Sequence, residues 1–509
     1  MNDKQTTTGM KSLAKDTAIY GLSSIVGRFL NYLLVPLYTA KMTAESGGYG
    51  VITNMYALTA LLLVLLTFGM ETTFFRFATR EESDLNLPPL AGRGVGSQPA
   101  RVFSTALIGV SSAATLFFVL VLLFLKPTAA FLGYEQTPQY VWVMALTVSI
   151  DAIRAIPFAY LRQQKKAIKF ATLQLLNIAI NIVLNVIYYL GLDGHDPGYA
   201  FYINLVCSVV VTLCLASEMM AMRYGFNPAL MRQMLVYAWP IVVLGIAGVL
   251  NQVADKILFP FVYPGEDMRE QLGIYGACVK IAMIMAMITQ AFRYAYEPFV
   301  FGKSRDKDSN AVQARAMKFF IIFTLLAFLC VMGWLDVLKY IIPESYHAGL
   351  RVVPIVMAAE IMMGICLNLS FWYKLSDKTY WGAVFSGIGC VVLVAINVIF
   401  VPHYGYMACA WAGFAGYGVS MVLSYIVGQR LHPIPYPMQS IAYYVLVAFL
   451  SWLSMDYFAD ILPQWGSLVY NTLVIIFFVT IIVRQDFPLS SLPIVGKYFK
   501  NSTTGKQTD

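Results

Sequence analysis

The 509-residue chain contains little charge for its length. Only 12% of its residues are charged and 59% are hydrophobic, whereas a soluble domain carries about 25% charged residues. A soluble chain this long would divide into domains joined by polar linkers, and the sequence shows no such linker. The apolar residues instead form segments of about 20 residues, the length that crosses a hydrocarbon layer ~30 Å thick. The composition therefore excludes a soluble protein and predicts a chain that crosses a membrane many times.

Motifs of soluble catalysts and nucleotide-binding modules are also missing. The chain has no GxxxxGK(S/T) loop, no HExxH and no CxxC, so the sequence indicates neither an ATPase module nor a zinc site. Its seven cysteines all lie in apolar segments without ligand spacing, and we expect them to pack as thiols without forming disulfides. We expect no cofactor. We also expect no nucleic-acid partner, because the net charge of +8 comes from basic residues in the loops, where they set the orientation in the membrane.

Fourteen apolar segments are long enough to be transmembrane helices. We favour helices over barrel strands because backbone N–H and C=O groups in lipid must be satisfied within their own segment. Runs such as 61–66 and 115–125 also lack the strict alternation of barrel strands. The first segment is too long for the core of a cleavable signal peptide, so we expect it to be retained. The predicted helices lie near 16–40, 50–75, 102–125, 139–160, 168–191, 199–221, 233–260, 273–298, 317–338, 349–373, 380–401, 405–428, 439–457 and 466–483.

Basic residues in the loops predict the orientation of the chain. If the N-terminus is cytoplasmic, 24 of the 35 Lys and Arg residues lie in inside segments. This bias follows the positive-inside rule and predicts an even number of spans with both termini in the cytoplasm. The outside loops are all short, so they leave no room for an extracytoplasmic catalytic domain. The five basic residues in outside loops are Lys41, Lys126, Arg269, Lys339 and Arg351.

Two short motifs indicate an internal repeat, for which a chance match is the alternative. Tyr49-Gly50 precedes Glu71 by 21 residues counted from the glycine, and Tyr275-Gly276 precedes Glu297 by the same spacing. The offset of 226 residues corresponds to six helices, so both copies would enter the membrane from the same side. Parallel repeats of this kind place the substrate path between them. The predicted parts are an N-terminal lobe (1–224), a C-terminal lobe (225–432), and a helix pair with a cytoplasmic tail (433–509).

Charged residues inside the predicted spans are candidates for function. An ionised side chain at mid-bilayer costs ~2.5–3.5 kcal/mol on insertion scales, so each must face protein or a water-filled cavity. Arg28 lies near the middle of the first helix; we favour a cavity cation that meets an anionic substrate over a structural pair with a carboxylate. Arg293 and Glu297 are four residues apart and share a helix face, which fits a local ion pair and a functional site equally.

Asp255, Lys256 and Glu360 also allow two interpretations. Asp255 and Lys256 are neighbours and point about 100° apart on a helix, so we expect that they cannot both face one partner. Burial would let Asp255 bind H⁺ or Na⁺ as a coupling ion; the alternative is an interfacial pair that snorkels to the outer headgroups. Glu360 has no cation within one turn of its own helix, and a proton-linked or gating role competes equally with a structural one.

Two further charged pairs favour a structural role. Glu71 and Arg76 are five residues apart near the inner end of the second helix, so they share a face poorly. Asp151 and Arg154 share a face of the fourth helix and form a predicted local ion pair.

Four features together resemble a known family. They are a polar first helix that ends in Val35-Pro36-Leu37-Tyr38-Thr39, Tyr49-Gly50 at the start of the second helix, Trp239-Pro240 at the start of the second lobe, and Asp255-Lys256. The pattern is similar to that of the polysaccharide transporters of the multidrug/oligosaccharidyl-lipid/polysaccharide (MOP) exporter superfamily, the Wzx-type O-antigen flippases. The resemblance covers nearly the whole chain. It implies an all-α integral membrane fold like that of MATE exporters, with two six-helix lobes around a cationic cavity and a C-terminal helix pair.

The resemblance also implies a function. An undecaprenyl-diphosphate-linked oligosaccharide would cross the bacterial inner membrane by alternating access, for lipopolysaccharide, O-antigen or capsule synthesis, alongside membrane lipids and other polysaccharide-assembly proteins. Arginine suits diphosphate because its planar fork bonds phosphate oxygens in pairs. The residues that would bind substrate are Arg28, Arg76, Lys256 and Arg293. Those that would couple or gate transport are Glu71, Asp255, Glu297 and Glu360.

Three alternatives remain open at this stage. A cation-coupled MATE-type multidrug exporter would have the same fold but would favour an acidic cavity. A lipid II flippase would also carry an extra helix pair, which forms a lipid groove in that family. A membrane glycosyltransferase, ligase or polymerase would need a sizeable periplasmic loop. Because the predicted outside loops are short, we expect a transporter rather than an enzyme.

Overall fold

The computed structural model describes residues 30, 32–79, 98–220, 225–302, 309–376 and 378–486. In these ranges twelve segments are long and apolar enough to cross a membrane, and Gly198–Cys214 is a shorter apolar helix. The first predicted span lies mostly outside the described residues, and only its end is seen, as α1. The predicted all-α membrane protein with about fourteen spans is therefore confirmed.

The described residues form nineteen α-helices. Many helices extend a few residues beyond their predicted bounds. The helices are α1 (Leu34–Lys41), α2 (Gly48–Thr67), α3 (Met70–Ala78), α4 (Gln98–Leu123), α5 (Leu125–Phe131), α6 (Pro138–Gln163), α7 (Ala167–Val186), α8 (Gly198–Cys214), α9 (Ala216–Met220), α10 (Pro228–Val262), α11 (Met268–Gly302), α12 (Ser309–Gly333), α13 (Leu335–Leu338), α14 (Val353–Leu369), α15 (Phe371–Leu375), α16 (Tyr380–Tyr404), α17 (Tyr406–Leu431), α18 (Met438–Ala459) and α19 (Gln464–Gln485).

The chain forms two compact units, each built from several separate segments. The first comprises residues 1–280, 342–352 and 378–420, and the second comprises residues 281–341, 353–377 and 421–509. The lobe boundaries near 224 and 432 stay a prediction.

The second predicted helix is broken into α2 and α3. Phe68 (φ 46°) and Gly69 (φ 62°) both adopt left-handed backbone geometry between them. A left-handed conformation costs roughly 1–2 kcal/mol for a residue with a Cβ, so Phe68 must be held there by its surroundings. Its ring packs against Trp239 of α10 at 6.5 Å between centroids. Because of this break, Glu71 and Arg76 lie on α3, a separate short helix.

Glycines bring α2 and α11 into close contact in the first unit. A Cβ on Gly50 would lie 1.9 Å from the carbonyl oxygen of Arg269, and a Cβ on Gly276 would lie 2.4 Å from Thr53 Oγ1. Membrane helices approach this closely only where small residues leave room for the backbones. The two glycines are those of the predicted repeat, so both copies of the motif lie in one helix crossing.

In the second unit, the C-terminal pair α18–α19 packs on α12. Lys318 of α12 forms an ion pair with Asp486, and the Tyr444 hydroxyl donates to the other carboxylate oxygen at 2.6 Å. Near the opposite end of α12, the side-chain amide of Asn471 donates to the carbonyl of Gly333 at 2.9 Å. Polar contacts at both ends thus attach the pair to α12.

Candidate functional site

Five polar residues of the first unit form a connected network, here named the Asp255 cluster: Asn54, Tyr134, Asp255, Lys256 and Tyr275. Lys256 Nζ lies 2.8 Å from Asp255 Oδ2, and the Tyr275 hydroxyl donates to the same oxygen at 2.5 Å. The Asn54 amide donates to the backbone carbonyl of Lys256 at 2.9 Å, and the Tyr134 hydroxyl donates to Asn54 Oδ1 at 2.9 Å. Helices α2, α10 and α11 are therefore joined by hydrogen bonds that lipid cannot replace.

The expectation that Asp255 and Lys256 cannot share a partner is wrong. Both contact Tyr275, because Lys256 Nζ also lies 5.3 Å from the centre of its ring. The flexible four-carbon stem of lysine overcomes the 100° between the two Cα–Cβ directions. Their side chains are only 10% and 16% exposed, which does not fit the snorkelling alternative. The proposed coupling role of Asp255 and the substrate role of Lys256 stay predictions.

Lys280 is a membrane-embedded cation that the sequence analysis did not select. It lies halfway along the apolar stretch Met268–Arg293 of α11 and is half-buried. Lys256 is close enough to repel its charge. Among the described residues, no carboxylate forms an ion pair with Lys280. Its mid-span position was visible in the sequence, but which described carboxylates can pair with it depends on helix packing.

Arg293 lies on the wall of a small chamber in the second unit. The chamber has a volume of about 10 Å³, which is at the lower limit of the space that one water molecule needs. The Arg293 side chain is half-buried. The walls of the chamber are formed by Thr289, Phe292, Arg293, Tyr296, Phe320, Gly364, Leu367, Asn368 and Phe371.

Glu71 and Arg76 have separate partners. Glu71 Oε2 lies 2.7 Å from Arg162 Nη2, and the Arg162 guanidinium lies 5.2 Å from the ring of Phe75. Arg76 lies 4.1 Å from the centre of the Tyr237 ring on α10. A cation over an aromatic face is attracted by the ring quadrupole. Both residues therefore have structural contacts, and their roles in gating and substrate binding stay predictions.

The other selected residues are less fully described. Arg28 lies outside the described residues. Glu297 lies on α11, and only its backbone position is described. Glu360 is half-buried on α14, with Oε2 shielded from solvent. The structure brings Asp255 and Lys256 together, whereas Arg293 and Glu360 belong to the second unit.

The predicted local pair in the fourth span is confirmed. Arg154 Nη2 lies 3.0 Å from Asp151 Oδ1, and the Ser208 hydroxyl donates to the same oxygen at 2.6 Å. Arg154 also donates to Asn177 Oδ1 at 3.3 Å. The carboxylate is thus satisfied by two side chains within the first unit.

A polar strip on α7 was not selected from the sequence. Asn185 accepts from the Tyr38 hydroxyl at 2.9 Å, and its amide donates to the Asn181 carbonyl at 2.7 Å. The apolar side chains of the opposite face are exposed, as expected for contact with lipid; Ile168 is 73% and Val183 54% exposed. The spacing of three to four residues between the amides was the signal that could have revealed the strip. Its members are Gln174, Asn177, Asn181 and Asn185.

Two carboxylates that lie beyond the ends of the apolar helices Ala167–Gly191 and Gly198–Cys214 have lowered pKa values. For Glu218, burial alone would raise the pKa, but hydrogen bonds from Lys169 and Ser217 outweigh it and lower the pKa. For Asp193, the hydrogen bond from the Lys41 ammonium lowers the pKa. In the described ranges, no three His, Cys, Asp or Glu side chains come together as ligands for a metal ion.

The sequence and fold both match known proteins. A sequence profile described as "Polysaccharide biosynthesis protein" matches residues 13–295, more than half of the chain. No curated protein sequence matches the chain significantly.

Solved structures with a similar fold are membrane transporters. The lipid II flippase MurJ in an inward closed conformation is 14% identical with a TM-score of 0.71, over 92% of this chain and 98% of MurJ. An inward-facing multidrug resistance MATE family transporter of the MOP superfamily is 14% identical with a TM-score of 0.64, over 79% of this chain and 93% of that one. These similarities confirm the predicted MATE-like fold.

Proposed function

We propose that this chain, which belongs to the polysaccharide biosynthesis protein family, is a membrane transporter and not an enzyme. More specifically, it is a lipid-linked oligosaccharide flippase. Its substrate is an undecaprenyl-diphosphate-linked oligosaccharide, which it moves across the bacterial inner membrane by alternating access. The product serves lipopolysaccharide, O-antigen or capsule synthesis.

The observation that carries this proposal is the excess of positive charge beside the Asp255 cluster. Lys256 and Lys280 are near enough for their charges to repel each other, and Asp255 is the single carboxylate that pairs with either of them among the described residues. A lone ammonium within a span is costly unless it faces a water-filled cavity or a counter-ion. A diphosphate headgroup would supply that counter-ion.

The same charges weigh against a multidrug exporter. A cationic drug would be repelled by Lys256 and Lys280, whereas a polyanionic headgroup would be attracted and could form charge-assisted hydrogen bonds with them. Coupling to H⁺ or Na⁺ through Asp255 or Glu360 is part of the proposal.

Replacement of Lys280 tests the proposal directly. In a strain that lacks the chromosomal gene, we expect Lys280→Gln to reduce surface polysaccharide about tenfold, because hydrogen bonds to charged groups are worth about 1.5–3 kcal/mol. Lys280→Arg should retain more activity than Lys280→Gln. The matched control is Lys126→Gln, which removes an exposed lysine from α5. Immunoblots of the membrane fraction check that all variants insert equally.

The lipid that accumulates decides the substrate class. We expect the Lys280→Gln strain to accumulate undecaprenyl-diphosphate-linked oligosaccharide in the cytoplasmic leaflet. A wild-type amount of surface polysaccharide in that strain would contradict the proposed role of the Lys280 ammonium in transport. Drug sensitivity without any change in lipid-linked oligosaccharide would favour the multidrug exporter.

A further inference from the structure

The chamber beside Arg293 is created by a close approach of α11 and α14. A Cβ on Gly364 would lie 3.0 Å from Thr289 Cγ2 and 2.3 Å from Phe320 Cζ, so glycine allows the two helices to meet here. Arg293 follows Thr289 by four residues on α11, and Asn368 follows Gly364 by four residues on α14. Each pair shares one helix face, which places Arg293 and Asn368 on the wall of the same chamber.

Two buried polar atoms of this chamber lack a hydrogen-bond partner among the described residues. Thr289 is 2% exposed and Asn368 is 9% exposed, and neither Thr289 Oγ1 nor Asn368 Oδ1 has a partner. The amide nitrogen of Asn368 is already used, since it donates to the Gly364 carbonyl at 3.0 Å. Buried polar atoms without partners are rare in native proteins and often mark an ordered water.

We propose that the chamber holds one ordered water molecule that positions the Arg293 side chain. The volume of about 10 Å³ lies at the lower limit for a single water. The water donates one hydrogen to Thr289 Oγ1 and the other to Asn368 Oδ1, and it accepts a hydrogen from the guanidinium. Because a guanidinium has five N–H donors, this bond leaves donors available for other contacts.

Thr289 and Asn368 are therefore positioning residues for Arg293. The water links the guanidinium to two helices and restricts its rotamers, which reduces the entropy lost when it binds an anion. This role in transport rests on the proposed function, because it assumes that Arg293 contacts the diphosphate. The presence of the water does not depend on that assumption.

The test uses substitutions that raise or preserve stability if the chamber is dry and lower stability if it holds a water molecule. If the chamber were dry, Thr289→Val would remove an unsatisfied buried hydroxyl and would leave stability unchanged or raise it. If a water is bound, the same change breaks its hydrogen bond, and we expect the Tm of the purified full-length protein to fall by about 2–4 °C. Asn368→Leu should lower the Tm similarly.

The matched control is Thr324→Val on α12. Thr324 is also fully buried, but its hydroxyl donates to the Phe320 carbonyl at 2.9 Å within its own helix. Density for a water within about 3 Å of Thr289 Oγ1 and Asn368 Oδ1 in a high-resolution structure would support the proposal directly. A raised Tm for Thr289→Val, or a chamber without density at that resolution, would overturn it.

Transport measurements separate this inference from the proposed function. We expect Thr289→Val to slow flipping about fivefold in vesicles, and to have no further effect when Arg293 is already replaced by Ala. An additive loss in the double variant would contradict positioning through Arg293. If Arg293→Ala alone leaves flipping unchanged, the substrate role of Arg293 is wrong, and the water is judged by density and Tm.

Discussion

Lys169 reaches from the start of α7 to Glu218, just beyond α8, where Nζ lies 2.6 Å from Oε1. Glu218 is buried and Lys169 is 40% exposed in its side chain. Removal of the lysine would leave a buried carboxylate for which Ser217 is the one remaining side-chain donor among the described residues. We expect Lys169→Met to destabilise the protein by about 1 kcal/mol at pH 7, measured by thermal unfolding in detergent.

The stabilisation by the Lys169–Glu218 ion pair should be lost as the pH falls. Because the folded-state pKa of Glu218 lies below the ordinary 4.5, the contribution is complete above that value and is lost as pH falls through the folded-state pKa. The difference in Tm between wild type and Lys169→Met should therefore shrink as the pH falls below 4.5. Lys166→Met, which changes an exposed lysine, is the control; an equal effect in both variants would contradict the prediction.

Single residues were predictable from the sequence only when their partners lie on the same helix. The Asp151–Arg154 pair follows from a spacing of three residues. The lack of an ion pair for Lys280 within the described ranges and the contact of both Asp255 and Lys256 with Tyr275 depend on which helix packs against which. Tertiary packing of this kind leaves no trace in the spacing of one sequence.

At the scale of helices, the α2–α11 crossing makes a prediction. A Cβ on Gly50 would overlap the backbone carbonyl of Arg269, so one helix must shift. We expect Gly50→Ala to cost about 1–3 kcal/mol, as overpacked contacts do, and to lower the Tm.

The control for that change is Gly387→Ala on α16. A Cβ on Gly387 would meet nothing within 4 Å, and alanine favours a helix by up to about 1 kcal/mol. Gly387→Ala should therefore leave the Tm unchanged or raise it. Equal stability of the two variants would show that the crossing is looser than described.

The hydropathy of the sequence predicts that the helices exist and cross the membrane, but it does not predict where a helix is interrupted. Hydropathy predicts α10 as one span, and Pro240 and Pro260 do not end it. Hydropathy also predicts one helix over 50–75, but the chain breaks at Phe68-Gly69. An apolar run reports membrane burial, and the backbone angles within it depend on contacts such as Phe68 with Trp239.

For the whole molecule, the loop charges predict the orientation. Lys126 lies in a predicted outside loop and Lys166 in a predicted inside loop, and both side chains are exposed. We expect Lys126→Cys to react with a membrane-impermeant thiol reagent in intact cells, and Lys166→Cys to react only after permeabilisation. Wild type, with its own seven cysteines, provides the background. The opposite labelling pattern would invert the predicted topology.

The fold as a whole was predictable because lipid allows few solutions. Spans of about 20 apolar residues must be helices, and the motifs resembled one superfamily whose fold the chain shares. The site was less predictable, because a cavity is defined by side chains from helices far apart in sequence.

The attachment of Asp486 has a practical consequence for shortened versions of the protein. Hydropathy alone would end the last helix near residue 483, and a truncation there would look harmless. Such a cut would delete Asp486, the carboxylate that Lys318 and Tyr444 share. The Lys318 ammonium on α12 and the Tyr444 hydroxyl on α18 would then lose this common partner. Expression variants and C-terminal fusions should therefore retain the chain through residue 486.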